Sequence, residues 1–389
     1  MNASDPRRAQ RDELMALAEA LALRIEPRSR EIEARRSLPP DIAEALTAAG
    51  LYRLLTPRVY GGGQVHVATF FDVIERLARS DASAAWCAFI SSTAGVLAAY
   101  LPEAEAAAIF SRPGLKAAGV FAPRGQARPE VLDGVAGYRV SGVWAWGSGA
   151  LNADVISGGC VVPGADGTPK VLSMLFERTQ VRLLDNWDSV GLCGSGSGEF
   201  AVDAVFVPAS RTASLSDEPV VAGTLYRFPV FGLLAVAIAA VSSGIARHAI
   251  DSLVALAAHK VPQAGSRTLA ERAAVQDAVA RAEAQWRGAR AFLMEAVHAA
   301  WDVAEHTGAI PVEQRRDLRL AATHLVHCGA AVVDRMFTLG GGHAVSGDSP
   351  LQRCLRDAHV ATQHMMVSES TFELTGRLLL GLPTQTAML

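Results

Sequence analysis

The sequence predicts an α+β protein with a helical first domain, a central β-rich domain and a C-terminal helical bundle. Apolar residues recur at helical spacing towards both ends of the chain, while short β-rich runs fill its middle. A length of 389 residues with 50% hydrophobic side chains is enough for two or three domains. We place these domains at residues 1–115, 116–222 and 223–389.

The first domain is predicted to be helical. Its N-terminal helix carries an apolar stripe made of Leu14, Leu17 and Leu21. A short helix over residues 40–49 begins at a proline and ends before Gly50, a residue type that favours helix termination. A further helical stretch covers residues 67–110 and stops before Pro113 and Gly114.

The central and C-terminal domains differ in their periodicity. Four runs in the central domain are rich in β-branched and aromatic residues and are separated by turn residues: 137–146, 154–162, 170–176 and 199–207. Their spacing favours a compact antiparallel barrel or sandwich. Helical periodicity returns at residue 228 and is interrupted at 261–266, 308–311 and 340–350, which predicts a four-helix bundle.

Composition argues against several classes of partner. The 36 basic and 39 acidic residues give a net charge of -3, which offers no attraction for nucleic acid. The five cysteines form no CxxC pair, so neither a disulfide framework nor a zinc site is indicated. We therefore expect a cytoplasmic location.

Two uncharged runs, 82–102 and 228–246, approach the length of a membrane span. Both are rich in alanine, serine and glycine, and neither has clustered basic flanks. We expect them to be buried core helices, with no membrane association. The N-terminus carries charges within its apolar stretch and predicts an amphipathic helix rather than a signal peptide.

The glycine-rich run GLCGSGSGEF at residues 191–200 allows two interpretations. A dinucleotide fingerprint needs a strand before it and a helix after it, so that phosphate meets a helix N-terminus. This run is followed by a β-rich segment, which favours a turn between strands. No nicotinamide-binding domain is apparent in the sequence.

The segment GYRVSGVWAWGSG at residues 137–149 has the spacing of a strand that places Trp144, Trp146 and Ser148 on one face. Such a face suits a planar aromatic cofactor, since a ring can pack on tryptophan and a hydroxyl can bond a heteroatom. A pair of ordinary core tryptophans explains the pattern equally well.

The histidines do not form a metal-binding pattern, because none of them belongs to an HExxH motif. On a helix predicted over residues 351–366, Asp357, Ala361 and His364 lie near one another on the surface. Asp357 could then hold His364 while the imidazole faces a pocket. A structural histidine is the alternative.

The chain as a whole resembles the acyl-CoA dehydrogenase superfamily, and within it the two-component flavin-dependent monooxygenases. The segments that carry this likeness are LYRLLTPRVYGGG, DASAAW, GYRVSGVWAWGSG, DNWDSVGLCGSGSGEF, SPLQRCLRDAHVATQH and TFELTGRLLLG. They appear in the family's order and spacing between residues 38 and 381. The resemblance implies an oxidoreductase that uses reduced FMN or FAD.

The resemblance also implies roles for individual residues. Trp146 and Ser148 correspond to positions beside the flavin ring and its N5 edge, and Phe121 and Ala122 to backbone contacts with the ring. The pair formed by Gly340 and Gly341 corresponds to the approach of a neighbouring subunit, which implies a homotetramer.

Trp86 and Met365 correspond to the substrate pocket, and His364 to the acid-base histidine of the monooxygenases. Asp357 is the expected helper that supports His364 electrostatically. The resemblance further implies a separate NAD(P)H-dependent flavin reductase and a small, aromatic or cyclic substrate.

The sequence departs from the superfamily at several positions. Dehydrogenases place a catalytic glutamate where this chain has Met365, and residues 219–246, which contain the alternative position, have no acidic residue. Without that base, ordinary thioester oxidation is disfavoured. Ala94 stands near the second histidine of phenol-hydroxylating members, and Cys193 replaces a usual arginine.

Two other classes stay open at this point. One is an oxidase or dehydrogenase that acts on a coenzyme A thioester through an atypical base. The other is a non-catalytic relative that keeps the fold as a scaffold. Failure to bind FMN or FAD would favour the scaffold. Saturable binding of coenzyme A esters would favour the thioester enzyme.

Overall fold

The structure is a computed structural model that describes residues 6–164, 169–263 and 265–389. Within these residues, helices form both ends of the chain and a sheet forms the middle. The first part contains α1 (Pro6–Ile25), α2 (Ser29–Arg35), α3 (Pro40–Ala48), α4 (Val67–Ala78), α5 (Ala82–Ala94) and α6 (Glu103–Phe110). The strands are β1 (Ala117–Leu132), β2 (Val135–Trp144), β3 (Val155–Pro163), β4 (Pro169–Glu177), β5 (Arg182–Leu183), β6 (Phe200–Pro208) and β7 (Thr212–Ala213). The last part contains α7 (Thr224–Arg227), α8 (Val230–Ala257), α9 (Ala273–Thr307), α10 (Val312–Gly340), α11 (Pro350–Thr362) and α12 (Ser370–Leu379).

The helical stretch predicted over residues 67–110 consists of α4, α5 and α6. Asp81 separates the first two, because its carboxylate accepts a hydrogen bond from the backbone N–H of Ala84 at 2.9 Å and so begins a new helix. Pro102 precedes α6 in the same way as Pro39 precedes α3. Gly50, with a φ of 74°, follows α3 where the sequence predicted an end.

The described strands form one mixed sheet in the order β5-β6-β2-β1-β3-β4-β7. The four runs found in the sequence are β2, β3, β4 and β6. The sequence predicts an antiparallel arrangement, but β1 pairs with β3 in parallel, so the sheet is mixed. Asp133 and Gly134, with φ values of 50° and 80°, join β1 to β2 in a tight hairpin.

Trp144 lies at the centre of the β-domain core. Its side chain is 0% exposed, its ring stacks on Phe200 with centroids 5.1 Å apart, and its Nε1 donates to the carbonyl of Gly159 at 2.8 Å. A side chain at Gly158 would approach the Trp144 ring to 2.6 Å, so glycine makes room for the indole. Trp144 is therefore a core residue.

The two uncharged runs lie inside the protein, as expected of core helices. The window Ala82–Ala99 is 94% buried, and the most apolar window of Val230–Ala257 is 78% buried. Helix α8 packs against α4 and α10 and so joins the first helical part to the bundle. The glycines that end α9 and α10 and the loop that follows α8 fall at the breaks predicted from the sequence.

Candidate active site

Trp86 on α5 brings three separate segments together. Its side chain is 6% exposed, and its Nε1 donates a hydrogen bond to Oγ of Ser148 at 3.1 Å. Its ring centroid lies 6.0 Å from that of His364 and 4.8 Å from that of Phe89. Three residues expected at the site from the sequence, Trp86, Ser148 and His364, thus meet around one indole.

Ser148 occupies a turn that follows β2 and is held by the neighbouring loop. The N–H of Gly147 donates to Gly198, and the N–H of Gly149 donates to Ser195, both at 2.9 Å. Ser148 is consequently buried, with 4% of its surface exposed. These hydrogen bonds fix the turn against the loop between β5 and β6.

The prediction that Trp144, Trp146 and Ser148 share one strand face is wrong. Strand β2 ends at Trp144, and Trp146 adopts a φ of 68° outside the strand. The alternation of strand side chains therefore does not continue to Ser148. Trp144 enters the core, whereas Trp146 points outward with 69% of its surface exposed.

Trp146 forms an exposed aromatic wall beside the Ser148 turn. Its ring meets Trp187 edge to face, with centroids 5.8 Å apart, and Trp187 is fixed by a 2.8 Å hydrogen bond from Nε1 to the carbonyl of Cys193. A bulky residue at positive φ is strained, and such strain concentrates at functional sites. The exposed ring offers a flat surface for a planar ligand.

Phe121 and Ala122 lie at a bulge in β1. The ladder with β3 pairs Val120 with Gly158 and Pro123 with Gly159, and it gives Phe121 and Ala122 no partner. Their carbonyl oxygens face Gly159, where an added Cβ would lie 2.3 and 2.7 Å from them. The bulge frees this stretch of backbone from the ladder, so it can contact another molecule.

An apolar cavity lies beside the bulge. It is lined by Phe121 together with Thr93 and Val96 near the end of α5 and Leu233 and Leu234 on α8. Ala94 occupies the place where related proteins carry a second histidine. It is the last residue of α5 and is buried, with 4% of its surface exposed. The cavity has a volume of about 10 Å³, which is room for about one water molecule, so its apolar lining is closely packed.

His364 follows α11 instead of lying on it. Helix α11 ends at Thr362, which corrects the predicted helix over residues 351–366. Nδ1 of His364 accepts a hydrogen bond from the N–H of Met366 at 3.2 Å. Burial, with a contribution from the charge of Arg319, lowers the pKa of His364 to about 4. The neutral ring therefore carries its proton on Nε2 and can donate a hydrogen bond from that atom.

Asp357 does not support His364 as predicted. Within the described part of the chain, no hydrogen bond or ion pair joins the two residues; Oδ1 of Asp357 accepts from the N–H of Leu192 at 2.6 Å. The reason is that His364 lies beyond the helix that presents Asp357. Burial raises the pKa of Asp357 to about 7. Asp357 instead fixes the loop between β5 and β6.

The other residues expected from the sequence lie in varied surroundings. Met365 is 59% exposed, so it stands beside the site with most of its side chain in solvent. Gly340 ends α10, and its carbonyl accepts from Nζ of Lys260 at 2.5 Å. Gly341 follows on the surface with a φ of 53°.

Cys193, which replaces a usual arginine of the family, bonds within its own loop. Its Sγ donates to the carbonyl of Ser189 at 3.0 Å.

Two residues of the site, Ser195 and Ser197, are not predicted from the sequence. Oγ of Ser197 lies 2.6 Å from Oγ of Ser148 and 2.7 Å from Oγ of Ser195. The signal was the GSGSG run, which was interpreted only as a turn. The run does connect strands β5 and β6, as predicted, but its serines extend the polar part of the site.

The residues present fit a reduced flavin. Trp146 supplies an exposed ring, Ser148 a hydroxyl, and the bulge at Phe121 and Ala122 free backbone. Within the described residues, the hydrogen-bond and ring partners of Trp86, Ser148 and His364 are hydroxyls, aromatic rings and backbone atoms, without a carboxylate. The arrangement suits hydrogen bonding and not abstraction of a carbon-bound proton.

Comparison with known proteins identifies the family. Residues 7–106 match the family described as acyl-CoA dehydrogenase, N-terminal domain, and residues 236–369 match acyl-CoA dehydrogenase, C-terminal domain. Indole-3-acetate monooxygenase of Pseudomonas putida is 33% identical, over 93% of each chain. The oxygenase subunit HsaA of a flavin-dependent monooxygenase from Mycobacterium tuberculosis is 30% identical, over 96% of this chain and 97% of its own.

Solved structures agree with this assignment. The 3-HSA hydroxylase of Rhodococcus sp. RHA1 superposes with a TM-score of 0.88 at 27% identity, covering 97% of this chain and 99% of its own. XiaF of Streptomyces, solved with FADH2 and glycerol, gives 0.86 at 26% identity, over 97% and 96%. The chain belongs to the acyl-CoA dehydrogenase superfamily. Within that class it is a flavin-dependent monooxygenase, as the resemblance implied.

Proposed function

We propose that the protein is the oxygenase component of a two-component system that hydroxylates a small aromatic molecule. A separate NAD(P)H-dependent reductase supplies the reduced flavin. The observation that carries the proposal is the position of Trp86, whose indole contacts both Ser148 and His364 within a buried site. One side of this indole suits a flavin edge, and the other suits a substrate ring.

The residues divide the work between cofactor and substrate. Trp146, Ser148 and the backbone of Phe121 and Ala122 hold the flavin, which when reduced supplies the electrons that activate molecular oxygen. Trp86 packs against the aromatic substrate, and the closely packed apolar residues around Phe121 exclude water from that side of the site. His364 donates a hydrogen bond from Nε2 and orients a polar substituent of that substrate.

Oxidation of a coenzyme A thioester is the weaker alternative. The position that holds the dehydrogenase glutamate is Met365, and 59% of its surface is exposed. Asp357, the acid on the neighbouring helix, is bonded to the backbone of Leu192 and is 6% exposed. Neither side chain can serve as a base at the carbon next to a thioester.

The proposed substrate class rests on the relatives and on the aromatic rings beside His364. Two of the similar proteins are indole-3-acetate monooxygenases, and a third is a resorcinol hydroxylase that depends on FADH2. In the site itself, the rings of Trp86 and Phe89 beside His364 offer packing to an aromatic substrate. We therefore propose indole-3-acetate and small phenols as the first substrates to assay.

We also propose a homotetramer in the cytoplasm. Gly340 and Gly341, at the end of α10, correspond to the glycine pair at which a neighbouring subunit approaches, and Gly341 is exposed. All five cysteines are unpaired thiols, which supports a reducing compartment. Sedimentation analysis should give four chains per particle, and a stable monomer that binds flavin fully would contradict the proposal.

The proposed function is tested by turnover with labelled oxygen. The protein, a flavin reductase, NADH and indole-3-acetate should give a product that has gained one oxygen atom from labelled molecular oxygen. His364→Ala should retain flavin binding and lose product formation by roughly 100-fold. His359→Ala, which removes an exposed histidine paired with Asp334, is the matched control and should keep full activity. Absence of labelled product from both indole-3-acetate and small phenols would refute the proposal.

A further inference from the structure

A continuous chain of hydrogen bonds leads from Trp86 through three buried serines. Trp86 Nε1 donates to Ser148, whose Oγ lies 2.6 Å from that of Ser197. Ser197 in turn lies 2.7 Å from Ser195, and Ser195 donates to the carbonyl of Leu192 at 2.6 Å. The three serines are 4%, 6% and 2% exposed, so water does not compete freely for their hydroxyls.

The two ends of this chain fix the direction of every bond in it. An indole N–H can only donate, and a backbone carbonyl can only accept. Each hydroxyl between them has one proton to donate. Ser195 donates its proton to the carbonyl of Leu192. It must therefore accept from Ser197, and Ser197 must accept from Ser148.

The consequence falls on Ser148. Its proton is committed to Ser197, and one of its lone pairs is taken by Trp86. A hydroxyl has a second lone pair, so Ser148 can still accept one hydrogen bond. A further partner of Ser148 must therefore be a donor, unless the whole chain is disrupted.

We propose that Ser195 and Ser197 are positioning residues that make the site select reduced over oxidised flavin. This inference rests on the proposed function, in which the N5 edge of the flavin meets Ser148. N5 of a reduced flavin carries a proton and donates, whereas N5 of an oxidised flavin can only accept. The orientation of Ser148 satisfies the reduced form and leaves the oxidised form facing a lone pair.

The test compares the dissociation constants of oxidised and reduced FAD, measured without oxygen, in wild type and in Ser197→Ala. The variant frees the Ser148 proton, so binding of oxidised FAD should tighten and the preference for reduced FAD should fall roughly tenfold, the effect of one hydrogen bond. A tenfold change in that ratio equals a shift of about 30 mV in the potential of the bound two-electron couple. This shift provides an independent measurement.

Matched variants separate positioning from a loss of structure. Ser197→Thr keeps a hydroxyl and should restore the preference. Ser195→Ala breaks the chain at its other end and should lower the preference in the same direction. Ser242→Ala removes a buried serine, 2% exposed, on α8 outside the chain and should change nothing.

The outcomes distinguish this inference from the proposed function. Binding of both flavins by wild type, with the same preference in Ser197→Ala and Ser195→Ala, would overturn the inference and leave the flavin site intact. Failure of wild type to bind either flavin would overturn the proposed function and the inference together. A lower preference in both alanine variants, with recovery in Ser197→Thr, is the expected result.

Discussion

The indole N–H of Trp86 donates to the hydroxyl of Ser148 at 3.1 Å while the centroid of the same ring lies 6.0 Å from that of His364. One residue of α5 therefore contacts the proposed flavin-binding hydroxyl and the proposed substrate-binding histidine. This contact ties the geometry of the two half-sites together.

Trp86→Phe should separate flavin oxidation from substrate oxygenation. Phenylalanine keeps an aromatic ring at this position but removes the N–H that donates to Ser148. We therefore expect the product formed per reduced flavin consumed to fall roughly tenfold. Product and NADH consumption should be measured together. Trp286→Phe is the matched control, since Trp286 also donates to a serine, Ser243, at 2.9 Å between α9 and α8. Equal effects of both variants would contradict a specific role for Trp86.

His364 should make the protein less stable in acid. Its folded pKa is about 4 and its ordinary value 6.5, so the unfolded chain binds a proton in this window that the folded protein does not. Stability is retained above about 6.5 and falls as the pH drops towards 4, with a slope of about 1.4 kcal/mol per pH unit for this group. Denaturant unfolding of His364→Gln should show a shallower slope.

His66 supplies the control for that prediction. Burial also lowers the pKa of His66 to about 4, and its Nδ1 accepts from the N–H of Ala68 at the start of α4. His66→Gln should reduce the acid slope to a similar extent and leave product formation unchanged. If His66→Gln abolished product formation as His364→Gln should, the assignment of His364 to the site would lose its support.

Burial of Asp357 should lower the free energy of unfolding as the pH rises. Its folded pKa of about 7 lies above the ordinary 3.8, so the folded protein holds a proton that the unfolded chain releases between these values. Stability from this group is present below about 3.8 and is lost as the pH rises to 7, by at most about 4 kcal/mol. Asp357→Asn, which keeps an acceptor for Leu192, should become relatively more stable than wild type between pH 5 and 8. Asp357→Leu should be destabilised throughout, and a pH-independent difference for Asn would contradict the raised pKa.

Gly191→Ala should detach the serine loop from α11. An added Cβ would lie 2.5 Å from the backbone carbon and oxygen of Arg356 and 2.8 Å from the N–H nitrogen of Asp357, so the loop must move. We expect a loss of roughly 1–3 kcal/mol in the free energy of unfolding and weaker flavin binding. Gly347→Ala, where an added Cβ meets nothing within 4 Å, is the control. Equal melting temperatures of the two variants would contradict the close packing.

The order of the secondary structure was predictable because its signals are local. The helix that ends before Gly50 and the strands that follow turn residues needed only spacing and turn chemistry. Strand β1 escaped detection because Pro123, Gly125 and Pro129 interrupt it, and a bulge accommodates the first of these. Its parallel pairing with β3 depends on distant residues that no local pattern reports.

The sequence predicted which residues belong to the site better than it predicted how they are arranged. Resemblance suggested Trp86, Ser148 and His364, which do meet, yet periodicity placed Trp146 and Ser148 on one strand face. A positive φ at Trp146 ended that periodicity. The serines of the glycine-rich run acquire their role only when the loop folds against the turn at Ser148, a contact between residues about fifty positions apart.

A crystal structure of the protein with reduced FAD, prepared without oxygen, tests the central claim most directly. We predict that the flavin ring lies against Trp146, with its N5 edge within hydrogen-bond distance of Ser148 and with Trp86 between that edge and His364. A flavin bound elsewhere, or a ring whose N5 edge is remote from Ser148, would contradict the account.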